Sequence, residues 1–425
     1  MRVYVESYGC AQNQGEGRGL TRDLAAAGHS IAEDPSHADV GVLVTCGVIG
    51  PTEMRMVRRW EELSRRVPRM VVTGCLVPLR TDLLQGPGLD RTTFLPIREQ
   101  SRLSSMLAEW ASDDAEPVRP TLDPTLPIPP ALSVAEEVVI AQGCTSHCSY
   151  CYSRLARGRL TSVPMGELLE RVRDALARGA KEIRLTSLDT SCWGEDLAGE
   201  ARLPDLVTAV AQLSGDFQFR IGMMSPQSLR RIGDRLLDAL VGEKAFHFLH
   251  IPIQSGSDRI LQEMRRGYTI REFRQWVDRA RSRFPDLMLA TDVIVGFPGE
   301  TEDDFRATTE LIEEVEPEIV NVTRFSARPL TPAARLPRLP PRVAKRRSRE
   351  LTALRMRVAR RRFERWIGWH GSARVVEWGA EGSSVGRLPN YIPVVLEGRY
   401  ALGTVVPIRI EGARSTYLLG AAVGS

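Results

Sequence analysis

Short, almost uninterrupted apolar runs alternate with helical-period segments over the first 110 residues. Val3-Tyr-Val-Glu-Ser7, Val40-Gly-Val-Leu-Val-Thr45 and Arg69-Met-Val-Val-Thr-Gly74 read as buried parallel strands. Helical patterns lie between them and after them, near 14–27, 52–66 and 99–111. This alternation predicts a small doubly wound α/β sheet, whose ligands sit beyond the carboxyl ends of its strands. Residues 112–135 hold six prolines and no periodicity, which predicts a linker. A second βα series begins at Glu137, with strands at 137–142, 182–188, 217–223, 246–253, 287–295 and 318–325. Six such units predict an open, partial (β/α)6 version of the eight-fold α/β barrel, with reactive groups at the C-terminal strand ends.

After Pro340-Pro341 the pattern becomes one helix to about 365, striped by Leu351, Leu354 and Val358. From 366 it changes to short alternating runs: Ala373–Glu377, Pro393–Glu397, Thr404–Arg409 and Ser415–Leu419. About 60 residues of this kind predict a small antiparallel five-stranded β-barrel of OB-like build. The expected division is therefore 1–111, a linker at 112–135, then 136–365 and 366–425.

Composition changes this picture little, but charge adds to it. At 425 residues and 43% hydrophobic, the chain can bury cores for two or three domains. The net charge of +4 is uneven: residues 342–365 hold eleven Lys/Arg against two Glu, a local +9 that leaves the rest near −5. The opening Met1-Arg-Val-Tyr-Val-Glu-Ser7 has no apolar signal region. No uncharged apolar stretch reaches the ~18 residues a membrane helix needs. Seven cysteines in so long a chain do not suggest a secreted disulfide framework. The expectation is a cytoplasmic protein with no membrane partner.

Six of those cysteines form two triplets. Cys144, Cys148 and Cys151 make a tight Cys-x3-Cys-x2-Cys turn after the first strand of the second series. Cys10, Cys46 and Cys75 each follow a strand end of the first, so three βα loops would bring three thiols to one rim. Zinc would normally want a fourth ligand, whereas a four-iron cluster on three cysteines keeps one iron open. The later strand ends are polar or glycine-rich: Thr186-Ser-Leu-Asp-Thr190, Arg220 with Met223-Met-Ser-Pro226, Pro252-Ile-Gln-Ser-Gly-Ser257, and Thr291-Asp-Val-Ile-Val-Gly-Phe-Pro-Gly-Glu300. Several such ends around one mouth predict a binding site, and Gly256, Gly296 and Gly299 would let a ligand approach the backbone.

The cysteine turn resembles that of the radical S-adenosylmethionine (SAM) superfamily. With Tyr8-Gly-Cys-Ala-Gln-Asn13, Thr45-Cys-Gly-Val48, Thr73-Gly-Cys75, Ile251-Pro-Ile-Gln-Ser-Gly-Ser-Asp258 and Gly386-Arg-Leu-Pro-Asn-Tyr-Ile-Pro-Val-Val-Leu396, the whole chain resembles the methylthiotransferases. These have an N-terminal cluster domain and a C-terminal TRAM domain. Gly47-Val-Ile-Gly-Pro-Thr-Glu53 and Arg220-Ile-Gly-Met-Met-Ser-Pro226 resemble the archaeal and eukaryotic branch, which modifies N6-threonylcarbamoyladenosine at tRNA position 37. Gln12 and Gly15-Glu-Gly17 depart from relatives after the first cysteine, and Cys192 has no counterpart in the pattern.

The resemblance implies two 4Fe-4S clusters. One, on Cys144, Cys148 and Cys151, would cleave SAM to a radical that takes hydrogen from C2 of the adenine. The other, on Cys10, Cys46 and Cys75, would carry the inserted sulfur, and a second SAM would give the methyl group. Asp189, Arg220, Ser225, Gln254, Ser255 and Asp292 are the expected contacts to SAM or the nucleoside, with Arg220 suited to a carboxylate. Cys192 is expected to be filler. The implied partners are the anticodon stem-loop of an ANN-decoding tRNA, an electron donor and a sulfur source. Arg387, Asn390 and Tyr391 combine a cation, an amide and an aromatic suited to single-stranded RNA, with the basic helix adding phosphate contacts. Isopentenyladenosine tRNA and a ribosomal-protein aspartate are alternative substrates of the same chemistry. A non-catalytic RNA-binding metalloprotein is the alternative of another class.

Overall fold

The structure, a computed structural model, describes residues 1–47, 50–113 and 134–423. The predicted linker falls mostly outside the described residues. The N-terminal unit is one parallel sheet, β1 (Arg2–Ser7), β2 (Ser30–Ile31), β3 (Val40–Thr45), β4 (Arg69–Gly74) and β5 (Thr92–Phe94), in the order β2-β1-β3-β4-β5. All six residues of β3 are buried, as expected for a central parallel strand covered on both faces. The longer helices are Ala11–Ala26, Gly50–Ser64 and Leu103–Asp113, close to the predicted spans.

The second unit begins with β6 (Ala135–Val139) and a short hairpin, β7 (Ala141–Gln142) with β8 (Thr161–Ser162), that flanks the cysteine turn. It continues with β9 (Glu182–Thr186), β10 (Gln218–Ile221), β11 (Phe248–His250), β12 (Met288–Val295) and β13 (Ile319–Arg324). β6, β9 and β10 form one parallel set and β11, β12 and β13 another. Single parallel bridges, Phe219 to Ala245 and Met223 to His250, join the sets between β10 and β11. Six parallel strands thus curve into the predicted partial barrel, and its helices bury Leu206, Phe273, Leu311 and their neighbours outside it.

Helix Ala11–Ala26 belongs to both units. A Cβ on Gly15 would press on Val139 and Glu137 of β6, and one on Gly17 would collide with Ser7 of β1. Glycine inside a helix costs about 1 kcal/mol relative to alanine. Here it lets the helix wedge between two sheets, which accounts for the unusual Gly15-Glu-Gly17. Arg18 fixes the wedge by donating to Ala135 O and pairing with Glu137 of β6.

The C-terminal unit is a closed barrel of β14 (His370–Trp378), β15 (Ser384–Arg387), β16 (Pro393–Leu396), β17 (Val405–Ala413) and β18 (Leu418–Ala422), in the order β14-β15-β16-β18-β17. The predicted antiparallel pairing needs one correction, because β16 and β18 run parallel. This barrel shares a core with the lower part of the central unit, where Phe246, Phe248, Met288 and Ala290 pack with Val375, Tyr391 and Ile408. Asn390 Nδ2 donates to Asp286 O at 2.8 Å, and Tyr391 OH donates to Glu182 Oε1 at 3.0 Å. Arg220 and Arg387 sit over the Tyr391 ring at 5.1 and 4.5 Å.

This corrects two readings. Asn390 and Tyr391 are buried and join the units, so they do not present an amide and a ring to RNA. The basic helix, observed as Pro341–Glu364, also spends much of its charge on the protein. Arg346 and Arg347 pair with Glu302 and Glu300, Arg361 and Arg365 with Glu316, and Arg362 with Glu318. Among the described residues, Arg342, Lys345, Arg349, Arg355 and Arg357 have no ion pair and keep the phosphate-binding potential.

Tyr391→Ala should therefore destabilise the protein by about 3–5 kcal/mol, the cost of emptying a buried aromatic site. Denaturant unfolding reads this directly. An unchanged midpoint with weakened tRNA binding would return the ring to an RNA-binding role.

Candidate active site

The mouth of the partial barrel holds a cavity of about 370 Å³. Cys144, Cys148 and Cys151 line one side, where the chain leaves β6 and β7. Asp189, Ser225 and Gln254, beyond the ends of three further strands, and Asp292, within β12, line the other. Met223, Met224, Val293 and Ile294 supply apolar wall. Asp189 accepts from the Ser191 and Ser225 amides at 3.1 Å each, and Asp292 is held by His250 Nε2 at 2.9 Å and Asn321 Nδ2 at 2.8 Å. Burial raises the Asp292 carboxyl, but those hydrogen bonds and the neighbouring histidine outweigh it and hold the group below its ordinary range.

Two expected contacts lie elsewhere. Ser255 is fully buried and its Oγ accepts from Ser257 N at 3.2 Å. Arg220 is below the mouth, over Phe248 at 5.6 Å and Tyr391 at 5.1 Å, and is no carboxylate ligand of this cavity.

The second thiol group gathers around Asn13. Its Oδ1 lies 3.9 Å from Cys10 Sγ and 4.0 Å from Cys75 Sγ, while its Nδ2 donates to Tyr8 O and Thr45 O at 2.7 and 2.9 Å. Cys46 closes the set, for a Cβ on Gly9 would meet Cys46 Sγ at 2.9 Å and Asn13 Nδ2 at 3.1 Å. Gly9 has φ of +111°, a backbone conformation that favours glycine and turns the chain tightly ahead of Cys10.

Helix Tyr152–Arg157, which starts directly after Cys151, connects the two thiol groups. At its first residue, the Tyr152 ring lies where a Cβ on Gly47, next to Cys46, would come within 2.9 Å. At its last, the buried Arg157 donates Nε to Cys75 Sγ at 3.3 Å and Nη2 to Asn13 Oδ1 at 2.5 Å. Nη1 reaches Gln142 Oε1 at 2.7 Å, and both terminal nitrogens bind Glu16. Burial alone would depress this guanidinium, but Cys75 and Glu16 hold it well above its ordinary value. Arg266 plays the matching part at the other triplet, donating to Cys148 Sγ at 3.1 Å.

The donor chemistry fits two thiolate-bound clusters. Among the described residues no three His, Cys, Asp or Glu groups converge tightly enough for a single metal ion. A four-iron cluster binds its cysteines through different irons and spreads them wider. Burial pushes the Cys75 thiol up to about 11 and the Cys151 thiol up to about 12, so a metal that binds them must displace their protons. The Cys144 thiol is drawn down, chiefly by a hydrogen bond with Cys192. Cys192, expected as filler, is buried beside Cys144 and donates to Asp189 O at 3.0 Å. Ser225 Oγ, buried at the cavity wall, has no hydrogen-bond partner among the described residues, which fits a polar ligand such as SAM.

Similarity to known proteins agrees with this geometry. Residues 138–312 match the radical SAM superfamily, and residues 2–88 match a family described as uncharacterized protein family UPF0004. The chain is 37% identical over 425 residues to a probable threonylcarbamoyladenosine tRNA methylthiotransferase of Methanothermobacter thermautotrophicus, covering 99% of each chain. It is 35% identical to a tRNA-2-methylthio-N(6)-dimethylallyladenosine synthase of Chloroflexus aurantiacus, covering 99% of this chain and 91% of that one. In fold it resembles a radical SAM methyltransferase, TsrM of Kitasatospora setae, solved with cobalamin and a 4Fe-4S cluster. That match has a TM-score of 0.56 and 13% identity over 78% of this chain and 76% of the other.

Removing Arg157 should leave Glu16 buried without its cation, a loss of about 3–5 kcal/mol. Arg157→Met should show it in denaturant unfolding, and Glu16→Gln in the same chain should restore part of it. Additive effects of the two substitutions would show that the pair is not coupled.

Proposed function

The chain belongs to the radical SAM methylthiotransferases, and from that premise we propose that it methylthiolates C2 of N6-threonylcarbamoyladenosine at tRNA position 37. The observation that carries this reading is the pair of thiol triplets joined by one six-residue helix. The threonylcarbamoyl assignment is supported by the archaeal relatives of that name, matched along nearly their whole length.

Cys144, Cys148 and Cys151 would hold one 4Fe-4S cluster, and Cys10, Cys46 and Cys75 the other. When bound, the clusters and SAM supply the electron, the hydrogen-abstracting radical, the sulfur and the methyl group, none of which a side chain can provide. The protein's part is placement. Asp189, Ser225, Gln254 and Asp292 form a polar wall for SAM and the target nucleoside. The apolar wall beside it limits water at the reacting carbon. Arg266 and Arg157 each set a fixed positive charge against one ligand thiolate, which lowers the cost of gathering three thiolates in a poorly solvated place. Arg328, bound to Glu53 and lying over the Tyr152 ring at 4.5 Å, ties the N-terminal unit to the cavity rim.

Among the described residues no helix is long and apolar enough to cross a membrane. We place the enzyme in the cytoplasm, where tRNA, a sulfur source and an electron donor meet it. The unpaired arginines of helix Pro341–Glu364, with Arg387, would contact the anticodon arm of an ANN-decoding tRNA.

Reconstituted protein should carry about eight irons per chain, as two four-iron clusters. Replacing either cysteine triplet by alanine should halve that figure, and iron near four in the unmutated chain would refute the two-cluster arrangement. The substrate is tested by offering the enzyme tRNA with and without the threonylcarbamoyl group. Methylthiolation should appear only on the first, and activity confined to isopentenylated tRNA would assign the chain to the other substrate.

A further inference from the structure

Four arginines line the mouth cavity, and three of them are already engaged. Arg154 Nη2 lies 2.9 Å from His147 Nε2, Arg266 is held by Cys148 and Tyr268, and Arg328 by Glu53. Arg324, at the end of β13, is the exception. It is exposed at the rim, and among the described residues no side chain or carbonyl bonds to its guanidinium. The cavity's two carboxylates are committed as well, Asp189 to Ser191, Ser225 and Ser228, and Asp292 to His250 and Asn321. The cavity therefore offers a ligand one uncommitted cation among its described residues, and its carboxylates already have partners.

We propose that Arg324 selects the target nucleoside by pairing with the carboxylate at the end of the threonylcarbamoyl group. This deepens the proposed function and rests on it. The guanidinium fork matches a carboxylate bidentately, and both its terminal nitrogens are free to donate. An unmodified adenine has no carboxylate to meet it. An isopentenyl group would set an apolar chain against a cation and gain nothing from it. A lysine could supply the charge but not the planar fork, so it would serve in part. Placement at the rim suits the role, since the N6 substituent takes no part in the reaction at C2 and need not enter the interior.

The test uses reconstituted holoenzyme with anticodon stem-loops of one sequence. Position 37 carries adenosine, its threonylcarbamoyl form, or the methyl ester of that form, which keeps the shape and removes the charge. Fluorescence anisotropy at fixed salt reads the affinities. The unmutated enzyme should prefer the free acid to the ester by about ten-fold, the effect of one charge-assisted contact. Arg324→Gln should bind acid and ester alike, and Arg324→Lys should keep an intermediate preference. If the unmutated enzyme prefers the acid and Arg324→Gln still does, the inference is wrong while the substrate reading stands. If the unmutated enzyme ignores the modification altogether, the substrate reading itself fails. An equal loss on all three loops would make Arg324 a phosphate contact, and loss of SAM binding in equilibrium dialysis would give it to the cofactor's carboxylate. Either result overturns the assignment.

Discussion

The buried guanidinium of Arg157 is the contact on which the arrangement of this protein turns. Two sheets each deliver three thiols, and nothing in either sheet alone fixes their separation. A loop or an apolar patch could bring the units together but would allow them to slide. The guanidinium permits far less, because its planar set of donors must satisfy a carboxylate, two amide oxygens and a thiol at once. A buried charge that loses any of these partners is costly, so the geometry is held by the penalty for leaving it.

The same constraint explains what could be read from the sequence and what could not. Cysteine spacing and strand ends are local features, and they placed both triplets and four of the six expected wall residues. Arg157 and Glu16 are 141 residues apart, Arg266 and Cys148 are 118 apart, and no local pattern connects either pair. One signal was present: an acid flanked by two glycines inside a helix, which is the mark of a helix squeezed between two neighbours. Arg220 was misplaced for a different reason. Strand alternation gives the face a side chain occupies, not its height along the barrel, and Arg220 is on the inward face but too low. Strand β15 was missed because Ser384-Val-Gly-Arg387 lacks a run of branched residues.

The lower end of the partial barrel is closed by another protein unit. In a full eight-strand barrel, layers of side chains fill the interior. Here Tyr391 enters from the small barrel and stacks with Arg220 and Arg387, replacing part of that filling. The tyrosine has φ of +73°, and its amide donates to Leu388 O in a tight turn, so its unusual backbone serves to aim the ring. An aromatic next to an asparagine and an arginine is thus an ambiguous signal: the composition that suits RNA also suits an interface between domains.

The separation of Arg157 from Cys75 has a consequence in time. Their 82-residue spacing takes about 4–16 s to synthesise at roughly 5–20 residues per second. During that interval the N-terminal sheet can pair its strands, but Glu16 and Asn13 have no cation and helix Ala11–Ala26 has only one of the two sheets it packs between. The first three cysteines are therefore made early and receive their final surroundings late, from the same helix that follows the second three. The order of the chain itself couples the two thiol groups, and a nascent N-terminal unit lacks the Arg157 contacts to Cys75, Asn13 and Glu16 until the ribosome has passed the second cysteine turn.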